Sequence, residues 1–230
     1  MPIETVHLRK LMQLMLAEPA SETSLLRRDI NEHFGRERRA PGEGGGDFHS
    51  AFWADAKGHA DGRVNLRLAT PARIVANERR RRLYPELTRG FLEWWEERRR
   101  LRNEPFEIDE ERMRGRLVLD GLGTIRVENN LAFSIVGEAR RIIYPYFCEE
   151  PEMDPDTARL GLWAMSGALP GRAIEDMRIL DVIRGRSFST VECPQRGTEE
   201  QEFRGLYGAL LDRWRMLRAQ YDDQGRRIRP

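Results

Sequence analysis

Residues 114–147 read RGRLVLDGLGTIRVENNLAFSIVGEARRIIYPYF, and most of what the sequence says about the fold class follows from this stretch. Short apolar or alternating runs are separated by glycines and by the pair Asn129-Asn130, which supply the positive-φ positions that tight turns need. The pattern predicts three or four antiparallel strands joined as a meander. Most of the other apolar residues recur at helical spacing, so we expect the sheet to be built mainly from this stretch.

A helix and one further strand are predicted after the meander. The helix spans about 156–169, the strand about 178–184, and a final amphipathic helix about 199–222. A crossover helix between strands of one sheet usually makes those strands parallel, so the sheet should be mixed. The expected fold class is therefore α+β, or mixed α/β: a meander, a crossover helix, a further strand, and flanking helices.

The region before the meander is predicted to be helical. Helices over 3–17 and 22–34 should form an N-terminal pair, and the glycine- and arginine-rich stretch after them has the composition of a linker. The expected organisation is an N-terminal helical pair (1–35), a linker (36–47) and a main domain (48–230) with helices in 48–102, a sheet core in 114–188 and the C-terminal helix in 199–222.

The charge of the chain is balanced overall but divided along the sequence. The 39 Lys and Arg residues face 38 Asp and Glu, a net charge of +1, and only Lys10 and Lys57 are lysines. Residues 71–102 contain ten arginines and five glutamates, whereas residues 103–159 contain thirteen acids and seven arginines. The overall balance excludes a uniformly basic protein, and the local surplus indicates a basic region on the helices of 71–102.

These arginine-rich helices are the candidate nucleic-acid interface. The planar guanidinium group suits phosphate, and the aromatic side chains among the arginines could stack on bases. The alternative is a solvated helical face on which arginines pair with glutamates three or four residues away. The predicted nucleic-acid contacts are Arg79, Arg80, Arg81, Arg82, Trp94, Trp95, Arg98, Arg99 and Arg100.

The acidic middle of the chain carries a resemblance to a known family. The order helix, three strands, helix, strand over about 86–188 resembles the core of the restriction-endonuclease-like, PD-(D/E)XK superfamily. The resemblance implies a Mg²⁺ or Mn²⁺ ion held by an acid near the second strand, for which Glu128 would stand, and by a D/E-x-K pair on the third. Residues 141–150 would be that third strand, but they read RIIYPYFCEE and contain no lysine.

The missing lysine favours a core that does not catalyse. In such enzymes the lysine helps to orient the attacking water and to stabilise developing charge. The catalytic residues of an active nuclease would be Asp120, Glu128, Glu149 and Glu150.

Other polar residues have simpler explanations. Asp55 and His59 are four residues apart and would share a helix face, but His49 would point elsewhere, so we expect no metal site between 47 and 61. Cys148 is followed by two glutamates, which oppose the formation of a thiolate. No cofactor is expected outside the nuclease alternative.

The sequence also suggests a compartment and partners. No apolar run reaches the roughly 20 residues of a membrane-spanning helix, and residues 1–10 lack the features of a secretory signal, so we expect a soluble cytoplasmic protein without a membrane partner. The apolar N-terminal or C-terminal helix could dock a protein partner.

The predicted function is a nucleic-acid-associated accessory protein on a non-catalytic nuclease-like core, with DNA or RNA as partner. The alternatives are a protein-interaction or scaffold subunit and a divalent-metal nuclease.

Overall fold

The computed structural model describes residues 3–37, 47–100, 106–108, 113–135 and 140–221, without the side chains of 98–100 and Ile135. The described residues form seven helices and two mixed sheets, of three and five strands. The α+β class predicted from the sequence is therefore confirmed.

The helices are α1 (Leu8–Leu16), α2 (Pro19–Glu37), α3 (Ser50–Ala60), α4 (Leu66–Ala76), α5 (Leu83–Arg100), α6 (Pro155–Ala168) and α7 (Glu199–Arg218). The strands are β1 (Thr5–His7), β2 (Phe106–Ile108), β3 (Gly115–Leu119), β4 (Gly123–Val127), β5 (Leu131–Ile135), β6 (Arg140–Tyr146), β7 (Met177–Asp181) and β8 (Arg186–Phe188). Short 3-10 turns span Glu78–Arg80 and Ile174–Asp176.

The five-stranded sheet has the order β2-β5-β6-β7-β8. Strands β2, β5 and β6 are antiparallel neighbours, and α6 then carries the chain to β7, which is parallel to β6. This sheet contains the last two strands of the expected meander, β5 and β6, together with the expected crossover helix and further strand. The first two expected strands, β3 and β4, lie in the other sheet, and β2 was not predicted. The strand predicted over 178–184 is in fact β7 followed by a turn, from which β8 returns antiparallel.

The three-stranded sheet contains a strand that the sequence did not predict. Strands β3 and β4 form a hairpin, and β1 adds to it parallel to β4, with Val6 opposite Ile125. The helix predicted over 3–17 therefore begins only at Leu8. Residues 5–7 are extended because their sheet partner lies more than a hundred residues away in sequence, where a local helical pattern cannot show it.

Apolar side chains alternate across the central strands of the five-stranded sheet and fill two cores. On β6, Ile142 and Tyr144 join the core that also contains residues of α1, α2, α6 and α7. The next residue, Ile143, joins a second core with residues of α3 and α5. A strand buried on both faces reads as a continuous apolar run, which explains the sequence of β6.

Caps and one close contact position the helices. The Asn65 side chain accepts a hydrogen bond from the Leu68 amide at the start of α4, and Asp154 accepts one from Thr157 at the start of α6. Helix α5 comes so near the sheet at Gly90 that a Cβ atom there would lie 2.2 Å from the carbonyl oxygens of Val182 and Ile183.

The helices expected to dock a protein partner bury most of their apolar side chains within this chain, although Leu206 and Met216 of α7 are exposed. On α1, Leu8 and Leu11 are fully buried, and on α7 the same is true of Phe203 and Tyr207. Among the described residues, no helix has the length and apolarity to cross a membrane.

Two predicted segments fall partly outside the described residues. The linker predicted over 36–47 includes 38–46, which are not described, while its first two residues end α2. The C-terminal helix, predicted to reach 222, ends at Arg218.

Candidate functional site

Three of the four consecutive predicted arginines are exposed. Arg79, Arg81 and Arg82 lie in and just after the 3-10 turn that joins α4 to α5, and all three are exposed. Asn77 determines the start of this turn, since its side chain accepts a hydrogen bond from the Arg79 amide. The turn therefore presents three guanidinium groups from one short segment.

The exposed arginines differ in their partners. Arg81 pairs with Glu78 at 3.0 Å, and Arg82 pairs with Glu149. Within the part of the chain that the structure describes, Arg79 makes no ion pair. Ion pairs between exposed side chains contribute at most about 1 kcal/mol, so Arg81 and Arg82 can exchange their carboxylate for a phosphate oxygen at little cost.

Arg80 has a structural role instead. Its guanidinium lies over the Tyr84 ring, 5.2 Å from the ring centroid, and donates a hydrogen bond to the Arg73 carbonyl oxygen. Arg73 in turn makes a bidentate pair with Asp55, at 2.8 and 2.9 Å. These contacts hold the 3-10 turn against α3, α4 and α5. Arg80 therefore packs against the protein, whereas its three arginine neighbours are exposed.

The predicted stacking platforms are wrong as surface groups. Trp94 and Trp95 are 3% and 4% exposed, and Tyr84 is fully buried. The Trp95 ring packs against Phe106 and Phe133, with ring centroids 5.4 and 6.0 Å away, because the apolar face of α5 covers the sheet. Arg98, Arg99 and Arg100 end α5, and their side chains lie outside the described residues.

A groove of about 430 Å³ lies between α4 and α5. These two helices are joined by the segment with Arg79, Arg81 and Arg82, which we call the arginine turn. The lining of the groove includes the apolar side chains of Pro71, Ile74, Pro85 and Leu92. The charged lining residues are paired, since Arg67 contacts Glu96 at 3.0 Å and Arg89 contacts Glu86 and Glu93 at 2.8 and 3.3 Å. The groove thus has an apolar interior and a rim of exchangeable ion pairs.

The predicted catalytic acids lie at several places in the fold. Asp120 is in the turn between β3 and β4, whereas Glu128 follows β4 at its opposite end and pairs with Arg126 at 2.7 Å. Glu149 and Glu150 follow β6, where Glu149 pairs with Arg82 and Glu150 is exposed. Among the residues that the structure describes, no three His, Cys, Asp or Glu side chains are grouped so that they could hold a metal ion.

The sequence analysis missed a polar cluster at the end of β6. Arg9, from α1, contacts Asp47 at 2.7 Å and lies 5.1 Å from the Phe147 ring centroid. His49 stacks on Phe147, with centroids 4.8 Å apart, and contacts Asp47 at 3.2 Å. The Tyr144 hydroxyl accepts a hydrogen bond from the Arg9 amide. These residues come from distant parts of the sequence, and no local pattern connects them.

The pKa shifts in this cluster have clear causes. Burial alone would raise the pKa of Asp47, but its hydrogen bond with His49 and the charge of Arg9 outweigh burial and lower the pKa. Burial lowers the pKa of His7, as do the charges of Arg126 and Arg9. Burial raises the pKa of Tyr144 to about 12 and that of Cys148 to about 11.

This cluster is arranged to stabilise the fold rather than to react. Arg9 is neutralised by Asp47, and Arg126, whose charge acts on His7, is neutralised by Glu128. The Cys148 thiol stays protonated near neutral pH, which excludes it as an activated nucleophile. The cluster therefore joins α1 and the start of α3 to β6, and the arginine turn remains the better candidate for a binding site.

The comparisons with known proteins bring no match: no family model, no curated protein and no solved structure is significantly similar to this chain.

Proposed function

We propose that this protein is a nucleic-acid-associated accessory protein whose nuclease-like α/β core does not catalyse. The observation that carries the proposal is the exposed arginine turn of Arg79, Arg81 and Arg82, beside the charged rim of the α4–α5 groove. Several guanidinium groups on one short segment can each contact a phosphate of a DNA or RNA backbone.

The sheet topology supports a nuclease-like core. Helix α5, the antiparallel strands β2, β5 and β6, the crossover helix α6 and the parallel strand β7 give the order helix, three strands, helix, strand, with β2 in place of a strand that was expected within 114–147. The β3–β4 hairpin is inserted after β2 and belongs to the other sheet. The resemblance concerns this element order alone, so the nuclease-like core is part of the proposal.

The side chains on β6 support the absence of catalysis. The resemblance implies a D/E-x-K pair on this strand, but Tyr144 and Tyr146 are buried in the core with α1 and α6. Neither lysine is available there, since Lys10 pairs with Asp29 and Lys57 lies on α3. The divalent-metal nuclease stays a prediction that these positions do not favour.

Phosphate contacts at the arginine turn explain how the protein could bind a nucleic acid with a net charge of only +1. Nucleic-acid binding depends on local contacts that release counterions from the phosphate backbone. Carboxylates at the turn are already paired with the arginines, and a phosphate can replace them because these pairs are exposed.

The experiment compares the full chain with two triple variants that change the charge equally. Arg79→Gln, Arg81→Gln and Arg82→Gln remove the arginine turn. The matched control, Arg196→Gln, Arg213→Gln and Arg215→Gln, removes three exposed arginines near or on α7, on the other side of the five-stranded sheet. Binding to a short mixed-sequence DNA duplex and to a single-stranded RNA is measured by fluorescence anisotropy at low salt.

We expect the turn variant to lose at least tenfold in affinity for one of these nucleic acids and the control to stay within threefold of the unchanged protein. Equal losses in the two variants would mean that only net charge matters. An unchanged protein that binds neither nucleic acid would remove the proposal.

A protein-interaction or scaffold subunit remains the second candidate. The observation that favours it is the edge of β3, which has no strand partner other than β4 among the described residues, because an open strand edge is a template for another chain.

A further inference from the structure

Strand β3 is the longest edge strand among those the structure describes. It contains five residues and pairs only with β4, whereas the edge strands β1, β2 and β8 contain three residues each. In an antiparallel pair, alternate residues of an edge strand direct their N–H and C=O groups away from the partner strand. No hydrogen bond within the described residues satisfies those outward groups of β3.

The two faces of β3 differ sharply. Leu117 and Leu119 face inward and join the core around α6, whereas Arg116, Val118 and Asp120 are exposed. Val118 is 63% exposed, which is unusual for a β-branched residue in a sheet. Neither Arg116 nor Asp120 has an ion-pair partner in the part of the chain that the structure describes.

The sequence of β3 and its turn is self-complementary in the antiparallel direction. Residues 115–121 read GRLVLDG, and Val118 is at the centre. If a second copy pairs antiparallel around Val118, the two valines face each other. Arg116 of each copy then lies opposite Asp120 of the other, which is the first residue after β3, and the leucines pair with their own kind. A one-residue shift of register would place Arg116 opposite Leu119 or Gly121.

We propose that β3 pairs with β3 of a second copy of this chain across a two-fold axis at Val118, which joins the two three-stranded sheets into one of six strands. The strand edges contribute backbone hydrogen bonds, and cross-strand contacts come from the valine pair and two Arg–Asp pairs. An isologous contact of this kind uses the same patch on both copies and closes at a dimer. The turn is already held in place, because Arg204 donates a hydrogen bond to the Asp120 carbonyl oxygen.

Charge exchange between the two positions tests the register directly. Arg116→Asp and Asp120→Arg each place like charges opposite one another, whereas the double variant restores opposite charges with the sign reversed. Both side chains are exposed, so these variants retain the fold, which circular dichroism verifies. Arg215→Asp, an exposed change on α7, is the matched control. Sedimentation equilibrium of the full chain without nucleic acid, over micromolar to submillimolar concentrations, gives the dimer dissociation constant.

We expect the unchanged chain and the control to form a dimer, each single variant to raise the dissociation constant at least tenfold, and the double variant to return within threefold of the original. A monomer at every concentration overturns the proposal. A dimer that is indifferent to both single changes, or one that the double variant does not restore, also overturns it.

Discussion

Arg159 and Glu199 form an ion pair in which both side chains are buried. The Arg159 side chain is 2% exposed, and its Nη1 and Nη2 atoms each donate a hydrogen bond of 2.6 Å, to Glu199 and Glu202 respectively. Burial alone would raise the pKa of Glu199. Hydrogen bonds from the Arg196 and Gly197 amides and from Arg159 outweigh burial and lower that pKa to about 2.

A pKa lowered in the folded state makes stability depend on pH. The Glu199 contribution is fully present above the unfolded value of 4.5 and is lost as the pH falls towards the folded value of about 2. We expect Glu199→Gln to lower the free energy of unfolding by about 1–3 kcal/mol near neutral pH, because the buried arginine loses a charged partner. Urea unfolding at neutral and acidic pH should show this loss shrinking below about pH 4.5.

The control for this prediction is Glu200→Gln, an exposed neighbour on the same helix turn that pairs with Arg204. Its effect should be small at every pH, as is usual for an exposed pair. A Glu199→Gln loss that stays constant down to pH values near 2 would contradict the assignment.

The residue types in the sequence indicated which chemistry is possible, but they did not indicate which side chains are exposed. The sequence places four arginines in a row at 79–82, but only the structure shows that Arg80 turns inward onto Tyr84. Trp94 and Trp95 are both buried, because the apolar face of α5 packs against the sheet. Side-chain direction depends on the partner surface, and the local sequence does not contain that surface.

At the scale of elements, Gly90 determines how closely α5 lies on the sheet. A Cβ atom there would come within 2.2 Å of two backbone oxygens, which cannot move without shifting β7 or the turn after it. We expect Gly90→Ala to lower the free energy of unfolding by about 1–3 kcal/mol, measured by urea unfolding, since overpacking against backbone distorts the sheet.

Gly205 is the matched control because it lies on α7 with no atom near its missing Cβ. Gly205→Ala should raise stability by about 0.5–1 kcal/mol, since alanine is the better helix former. If both alanines stabilise the protein, α5 does not lie as close to the sheet as described.

Elements with local signals were predictable, and those with distant partners were not. The helix predicted over 156–169 agrees closely with α6, because its cap, its proline and its apolar spacing are all local. Strand β1 was missed, since its three residues are extended only through pairing with β4. The division of the meander between two sheets was missed too, because turn signals do not specify which strands become neighbours.

At the scale of the whole molecule, the five-stranded sheet separates two helical layers. Helices α1, α2, α6 and α7 contribute to one core, and α3 and α5 to the other. The arginine turn belongs to the second layer, whereas the arginines of α7 belong to the first. The sequence predicted the α+β class and contained the arginine surplus of 71–102, but the placement of Arg79, Arg81 and Arg82 beside the second helical layer requires the tertiary structure.

The salt dependence of nucleic-acid binding tests the proposed function most directly. The logarithm of the association constant is plotted against the logarithm of the salt concentration, for the unchanged chain and both triple variants, with the DNA duplex or the single-stranded RNA, whichever the unchanged chain binds more tightly. Each phosphate that an arginine neutralises adds about 0.9 to the steepness of this plot for a DNA duplex and about 0.7 for a single strand. We therefore predict a steep negative slope that becomes shallower by about 2–3 when Arg79, Arg81 and Arg82 are replaced, and that the α7 control leaves unchanged. A slope near zero, or the same slope in all three proteins, would contradict the account.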